Sequence, residues 1–279
     1  MTTAESLCSN LRYTIDMNSD HTHRTQNPGR AIFDERKIWT HLGWRDLQSR
    51  YSRTLIGPWW SVANLFTIVF GSSLAVGLIS GDTALSQAPR MVIAFSLWLL
   101  INAMLNEAVE LFEAEKGLLL NTQISEATLV VRLLWRNYLV FLHSFVVVVT
   151  TFIVAREPLS LRLLALFPIA LVVCLCALFP VYIFARSIFI LRDLKVVLPS
   201  AIQLVFFLTP ILWTPPETGP MHTIFVFNPA AWIIEFTRQL ILDDVFNSYL
   251  FVKVSIFAVV SLFCMSLSAK SMSEIRKRL

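Results

Sequence analysis

The sequence has only eight glycines in 279 residues, and none sits in a pattern that cradles a nucleotide. No glycine is followed by lysine, which removes the phosphate-binding P-loop. No two glycines are two positions apart, which removes the G-x-G turn of a dinucleotide site. H-E-x-x-H and G-x-S-x-G are missing too, so there is neither a zinc-peptidase helix nor a nucleophile elbow. The five histidines are scattered; His21 and His23 are close, but they lie in a polar stretch that lacks an apolar core. Of the four cysteines, Cys8 is in that stretch, while Cys174, Cys176 and Cys264 are inside apolar runs. Cys174 and Cys176 fall about 200° apart around a helix, which does not suit a shared metal and reads as small apolar filler. Charge is thin as well, at 15% of residues. The expectation is a chain that binds no metal or cofactor itself and depends on another subunit for any nucleotide energy it uses.

Hydrophobic residues are what the chain has instead, at 56% of the sequence. A hydrocarbon core of roughly 30 Å takes about twenty apolar residues in a helix. Six runs have that character, at 59–80, 91–108, 138–155, 163–185, 196–213 and 249–269. A seventh, 221–242, is interrupted by Asn228-Pro229 and carries Glu235 and Arg238, too polar and too broken to span. Three prolines, Pro210, Pro215 and Pro216, precede it. Non-helical backbone at membrane depth is tolerated only against protein or a water-filled cavity. The stretch after the fifth run therefore reads as a re-entrant pair of short helices lining an exit. The expected fold is an all-α integral membrane protein with six transmembrane helices, the re-entrant pair lying between helices 5 and 6.

Orientation follows from the basic residues. With six spans both termini share a side, and 18 of the 23 lysines and arginines fall on that side. Positive residues stay in the cytoplasm, so both termini are expected there. The net charge of +4 then reports topology and contact with anionic lipid rather than nucleic acid. Residues 1–30 are polar and read as a disordered cytoplasmic extension rather than a cleavable signal, which leaves the first span as the targeting signal.

Between that extension and the first span, residues 35–56 have the pattern of an amphipathic helix on the membrane surface. Trp44, Leu47, Tyr51 and Leu55 share one face, while Arg45, Arg50 and Arg53 fall on the flanks and the opposite face. Gly57-Pro58 ends it.

Several polar positions have two readings. Asn102, Asn106 and Glu110 recur every four residues in the second span, with Glu107 beside them. Charges within a span are functional candidates that face protein or water, yet Glu107 and Glu110 also suit the headgroups at a span's end. The loop 111–136 opens with an acidic and then apolar stretch, a short helix expected to part from the span near Gly117. It suits docking into a partner's groove, or folding back on the membrane. Arg192-Asp193-Leu194-Lys195 is either a second docking loop or a positive-inside anchor. Trp59, Trp60, Trp98, Phe206, Phe207, Trp213 and Trp232 are interfacial belt residues or the walls of a sugar path, because aromatic faces stack on pyranose C–H faces without charge.

The segment Trp44-Arg45-Asp46-Leu47-Gln48-Ser49-Arg50-Tyr51, continued by Thr54, Gly57, Trp59 and Trp60, resembles the opening signature of ABC-2-type permeases that export polysaccharides, the O-antigen, capsule and teichoic acid exporters among them. Arg192-Asp193-Leu194-Lys195 with Phe206-Phe207-Leu208-Thr209-Pro210-Ile211 looks like that family's second signature. Asn228-Pro229 followed by Ile233, Ile234, Arg238 and Leu240 resembles the segment after its outer re-entrant helices. The matches occur in family order and cover the chain from about Trp39 to its end, within a transmembrane domain of 31–279; the polar extension before Ala31 is a departure.

That resemblance implies a homodimer in the cytoplasmic (inner) membrane of a bacterium, with two separate ATPase subunits that bind ATP and Mg, and a glycan or lipid-linked glycan as cargo. It places the surface helix, with Trp44, Arg45, Asp46 and Arg50, against the ATPase, together with Glu113, Glu115, Lys116 and Asn121 of the loop between spans 2 and 3. Arg192 and Asp193 join them as candidates. The cargo path at the dimer seam would be bordered by the first and fifth spans, with Asn102 and the aromatic residues along it. A drug or lipid exporter of the same fold and an ATP-independent secondary transporter stay open. The latter should show internal repeats and ionisable residues at the midplane, and the acidic residues here cluster towards the surfaces.

Overall fold

Trp59–Ser80 is a helix of 22 residues whose buried positions, Leu65, Val69, Ser73 and Gly77, recur every fourth residue. In the computed structural model, residues 32–268 are described apart from 33, 53–56, 58, 82, 123, 188–190 and 192. The extension 1–30, Arg53, Leu55 and Arg192 therefore lie outside the described residues. All regular elements among the described residues are helices: α1 (Arg36–Tyr51), α2 (Trp59–Ser80), α3 (Ala84–Ala114), α4 (Lys116–Asn121), α5 (Glu126–Ala155), a 3-10 turn (Leu161–Ala165) running into α6 (Leu166–Ser187), α7 (Leu194–Leu208), α8 (Pro220–Phe227), α9 (Pro229–Ile241) and α10 (Ser248–Ser268).

Five segments are long and apolar enough to cross a membrane: α2, α3, α5, the turn with α6, and α10. This is the architecture of a multi-pass membrane protein. The central helix is α3. Of its most apolar stretch 61% is buried, against 22% for α2, and it touches α2, α5, α6, α7 and α9. One residue on from each buried position, α2 carries exposed Phe66, Phe70, Leu74 and Leu78. Such a face suits hydrocarbon as solvent, where apolar exposure carries no hydrophobic cost.

The sequence-based expectations need three corrections. First, the run 196–213 is not a full-length span. Its helix, α7, has 15 residues, about 22 Å of rise, and stops at Thr209, whose ψ of 135° is the extended conformation a following proline enforces. Second, the runs 91–108 and 138–155 are parts of longer helices of 31 and 30 residues: α3 runs on through Glu110 and Glu113, and α5 already begins at Glu126, with Arg132 and Arg136 in its added turns. Third, the break expected near Gly117 falls two residues before it, at Glu115, and the expected short helix is α4, with Gly117 inside it.

The helix ends follow local chemistry. Ser125 Oγ accepts from the Thr128 N–H at 3.2 Å and starts α5. At the other end Arg156 takes φ 61°, and the Glu157 N–H reaches back to Phe152 O at 3.0 Å, a left-handed helix stop. Pro180 lies inside α6, where a proline ring disturbs the backbone ladder. The neighbouring Phe179 N–H is taken up by Ser261 Oγ of α10 at 3.0 Å. Ser261 is buried, and this bond fixes where α10 lies against α6.

Candidate functional site

The helix α1 lies across the start of α5. Trp39 meets Trp135 edge to face, with ring centroids 5.8 Å apart, and Gly43 and Leu47 are buried on the same line. A Cβ on Gly43 would come within 2.9 Å of Trp135 Cδ1, so only glycine allows the helix this close. The inner face is thus Trp39–Gly43–Leu47. Of the face read from the sequence, Leu47 is buried, Tyr51 half-buried and Trp44 half-exposed. The close approach at Gly43, rather than the aromatic periodicity, sets the rotation of α1.

This docking brings charges from α1, α3 and α5 together. Arg132 of α5 donates from Nε to Asp46 Oδ2 at 2.6 Å and from Nη2 to Asp46 Oδ1 at 2.7 Å. The same guanidinium lies 3.2 Å from Glu115, where α3 gives way to α4. One turn later Arg136 donates to Glu107 Oε2 at 2.6 Å and lies 3.8 Å from Asp46. Glu107 also accepts from Asn137 Nδ2 at 2.7 Å and, on its other oxygen, from Arg50 Nη1 at 2.6 Å. Three carboxylates and three guanidiniums form one continuous network. Five of the six side chains are under 30% exposed, so solvent screens them less than a surface pair. Arg50, half exposed, is held above its ordinary value: burial would lower it, but the charge and hydrogen bond of Glu107 outweigh that.

Chemically the network can transmit force. A push on α1 is delivered through Asp46 and Arg50 to α5 and α3, and Glu115 ties in the short helix α4. Bidentate carboxylate–guanidinium pairs resist rotation as well as separation.

Of the residues singled out in the sequence, Asp46, Arg50 and Glu115 are in the network. Glu113 pairs with Lys195 of α7 at 2.5 Å, and Arg45, Lys116, Asn121 and Asp193 are exposed nearby on their elements without entering it. Glu107, Arg132, Arg136 and Asn137 were not among the coupling candidates. The positive-inside count used both arginines, yet their partners are 86 and 29 positions away, separations that no periodicity reveals.

The aromatic candidates divide into separate groups. Trp98 is buried and packs on Phe206 at 5.6 Å, and Phe206 meets the exposed Phe207 at 5.3 Å. Trp213 donates to Phe207 O at 3.2 Å. Trp59 and Trp60, both exposed, are at the start of α2, where Trp59 faces His143. Trp232 donates to Phe225 O at 3.0 Å and carries Lys253 over its ring. Asn102 Oδ1 accepts from Asn106 Nδ2 at 2.8 Å, which ties the two side chains together along α3.

Among the described residues no three His, Cys, Asp or Glu side chains gather as a metal ion would require. Cys174 and Cys176 turn to different helices, towards Leu134 O and Val254 O. No protein-family model matches the chain, and no curated protein matches it significantly.

Proposed function

We propose that the chain is the membrane-spanning permease subunit of an ATP-driven exporter of ABC-2 type, moving a polysaccharide or lipid-linked surface glycan across the cytoplasmic membrane of a bacterium. The observation that carries this reading is the ion network. A transporter driven by a separate ATPase needs a rigid link between a docking surface and its spans, and Asp46, Arg50 and Glu115 place α1 and α4 on such a link to α3 and α5. The resemblance of three segments, around residues 44–60, 193–211 and 228–240, to polysaccharide-exporter signatures agrees with this reading.

In this reading two copies form a homodimer, α1 and α4 face two ATPase subunits, and both termini are cytoplasmic. ATP-driven closure of the ATPases presses on α1 and α4, and the network passes the displacement to α3, the helix that touches most of the others. The helices α8 and α9 form the re-entrant pair on the far side, and α7 is the short fifth span. A polymer needs a wide, weakly adhesive path, since a strong site would stall it. Exposed Phe207, Trp59 and Trp60 offer ring faces without charge.

The test is deletion of this chain in its native cell. The reading expects an undecorated cell surface with glycan retained inside, restored by the parent chain. A normal surface glycan together with increased sensitivity to a drug or a lipid imbalance would overturn the glycan cargo in favour of another ABC-2 exporter.

A further inference from the structure

At the end of α3 opposite the ion network lies the largest fully buried side chain among the described residues, that of Arg238 on α9. It is 1% exposed, and among the described residues the carboxylate paired with it, Glu235, stands 4.0 Å away, beyond hydrogen-bond distance. Its donors go to main-chain carbonyls instead. Nε donates to Arg90 O of α3 at 3.2 Å, Nη2 to Ile211 O at 2.6 Å, and Nη1 to Pro210 O. Pro210 and Ile211 belong to the turn that follows α7, where no helix ladder is left to use their carbonyls. A planar fork of donors suits this task in a way a lysine ammonium does not.

A second bond system joins the same two parts. Thr209 Oγ1 donates to Val205 O at 2.7 Å and accepts from Asn228 Nδ2 at 2.9 Å. The other end of the Asn228 amide caps α9 by accepting from the Ala230 N–H at 3.0 Å. So the Arg238 end of α7 is tied through its terminal turn to α9 and α3 by buried or half-buried bonds.

The opposite end of α7 is held differently. Of this helix Leu198 and Ile202 are the buried residues, and among the described residues this end meets α3 through the Lys195–Glu113 pair, with side chains 36% and 57% exposed. Exposed pairs of that kind hold weakly, because solvent screens the charges and two long side chains must be ordered. Pro199, near this end, leaves one ladder bond unmade.

The geometry points to Arg238 as a positioning residue: we infer that it fixes the turn Thr209–Ile211, and with it Phe207 and Trp213, on α3 and α9, so that α7 pivots at this end and swings at the Lys195 end. This deepens the export reading, on which the use of the pivot rests; the pivot itself does not depend on the cargo. It predicts that Phe207 and Trp213 keep one arrangement while the rest of α7 moves.

The test uses the full chain in lipid nanodiscs with Cys8→Ser and Cys264→Ala, carrying a trifluoromethyl label at Phe207→Cys, Val196→Cys or Phe66→Cys in turn. In the parent, the label at 207 should give one narrow 19F line, and the label at 196 a line at least twice as broad or split. On Arg238→Lys, the line at 207 should broaden at least twofold or split, while the line at 66 on α2 stays unchanged. A general loss of stability would move the label at 66 as well and would overturn the positioning role. An unchanged line at 207 in Arg238→Lys would also overturn it. Should the lysine variant fail to fold, equal line widths at 196 and 207 in the parent would still contradict the pivot. Glycan export by parent cells is read separately: if the lines behave as expected in a chain whose deletion leaves surface glycan intact, the pivot stands and the export reading falls.

Discussion

Asp46 of α1 and Arg132 of α5 face each other through two parallel hydrogen bonds of 2.6 and 2.7 Å, 86 positions apart in sequence. Neither side chain is more than a fifth exposed. Asp46→Asn keeps the shape and removes the charge, leaving Arg132 with Glu115 alone. The expected cost is about 2 kcal/mol at the α1–α5 contact. A double-mutant cycle with Arg132→Gln, read by the thermal midpoint in nanodiscs and by proteolytic release of α1, should give a coupling of about 1–2 kcal/mol. Additive losses would mean that the pair does not act as a unit.

Gly43 and Trp135 make a second, apolar test of the same contact. An alanine at 43 gains helix propensity of about 1 kcal/mol but puts its Cβ 2.9 Å from the Trp135 ring. Overpacking costs about 1–3 kcal/mol, so the net effect should be destabilising. Trp135→Phe in the same chain should relieve most of it. If Gly43→Ala alone raises the thermal midpoint, α1 does not sit this closely on α5.

Ser261→Ala removes the acceptor of the Phe179 N–H beside Pro180. Interhelical hydrogen bonds of this kind in membranes are worth about 0.6–1.7 kcal/mol, and a loss of about 1 kcal/mol is expected in reversible unfolding. Ser266→Ala, on an exposed face of the same helix, should be close to neutral. Equal effects of the two would separate Ser261 from the proline kink.

The exposed aromatic residues predict a split between assembly and transport. Phe207→Ala and Trp59→Ala remove side chains that are 58% and 51% exposed, so folding and oligomeric state should be unchanged. Export, measured as surface glycan per cell, should fall several-fold. Trp98→Ala, at 5% exposure, should instead cost about 3–5 kcal/mol of stability. Normal export with Phe207→Ala would remove the aromatic path from the account.

Hydropathy made the apolar helices legible because burying or lipid-facing residues is a local demand. The run 59–80 coincides with α2, and 163–185 lies within α6 and its preceding turn. The polar start of α5 was not legible by that signal, since Arg132 and Arg136 are charged and their partners, Asp46 and Glu107, are far away in sequence. The early end of α7 was written in Thr209-Pro210, but an apolar count runs past it to Trp213. Asp46 and Arg50 drew attention as part of a basic surface helix, whereas their shared network needed the rotation that Gly43 permits. The burial of Arg238 had no local signal either, because its acceptors are backbone carbonyls 27, 28 and 148 positions away.

The central claim is that α1 and α4 receive force from a separate ATPase, and purification from the native membrane tests it most directly. The chain is extracted in mild detergent, and the mass of the intact complex and of its components is measured. The account predicts two copies of this chain with two copies of a P-loop ATPase, and loss of that partner when Asp46 and Glu115 are both neutralised. A stable oligomer of this chain alone, transporting without ATP, would contradict it.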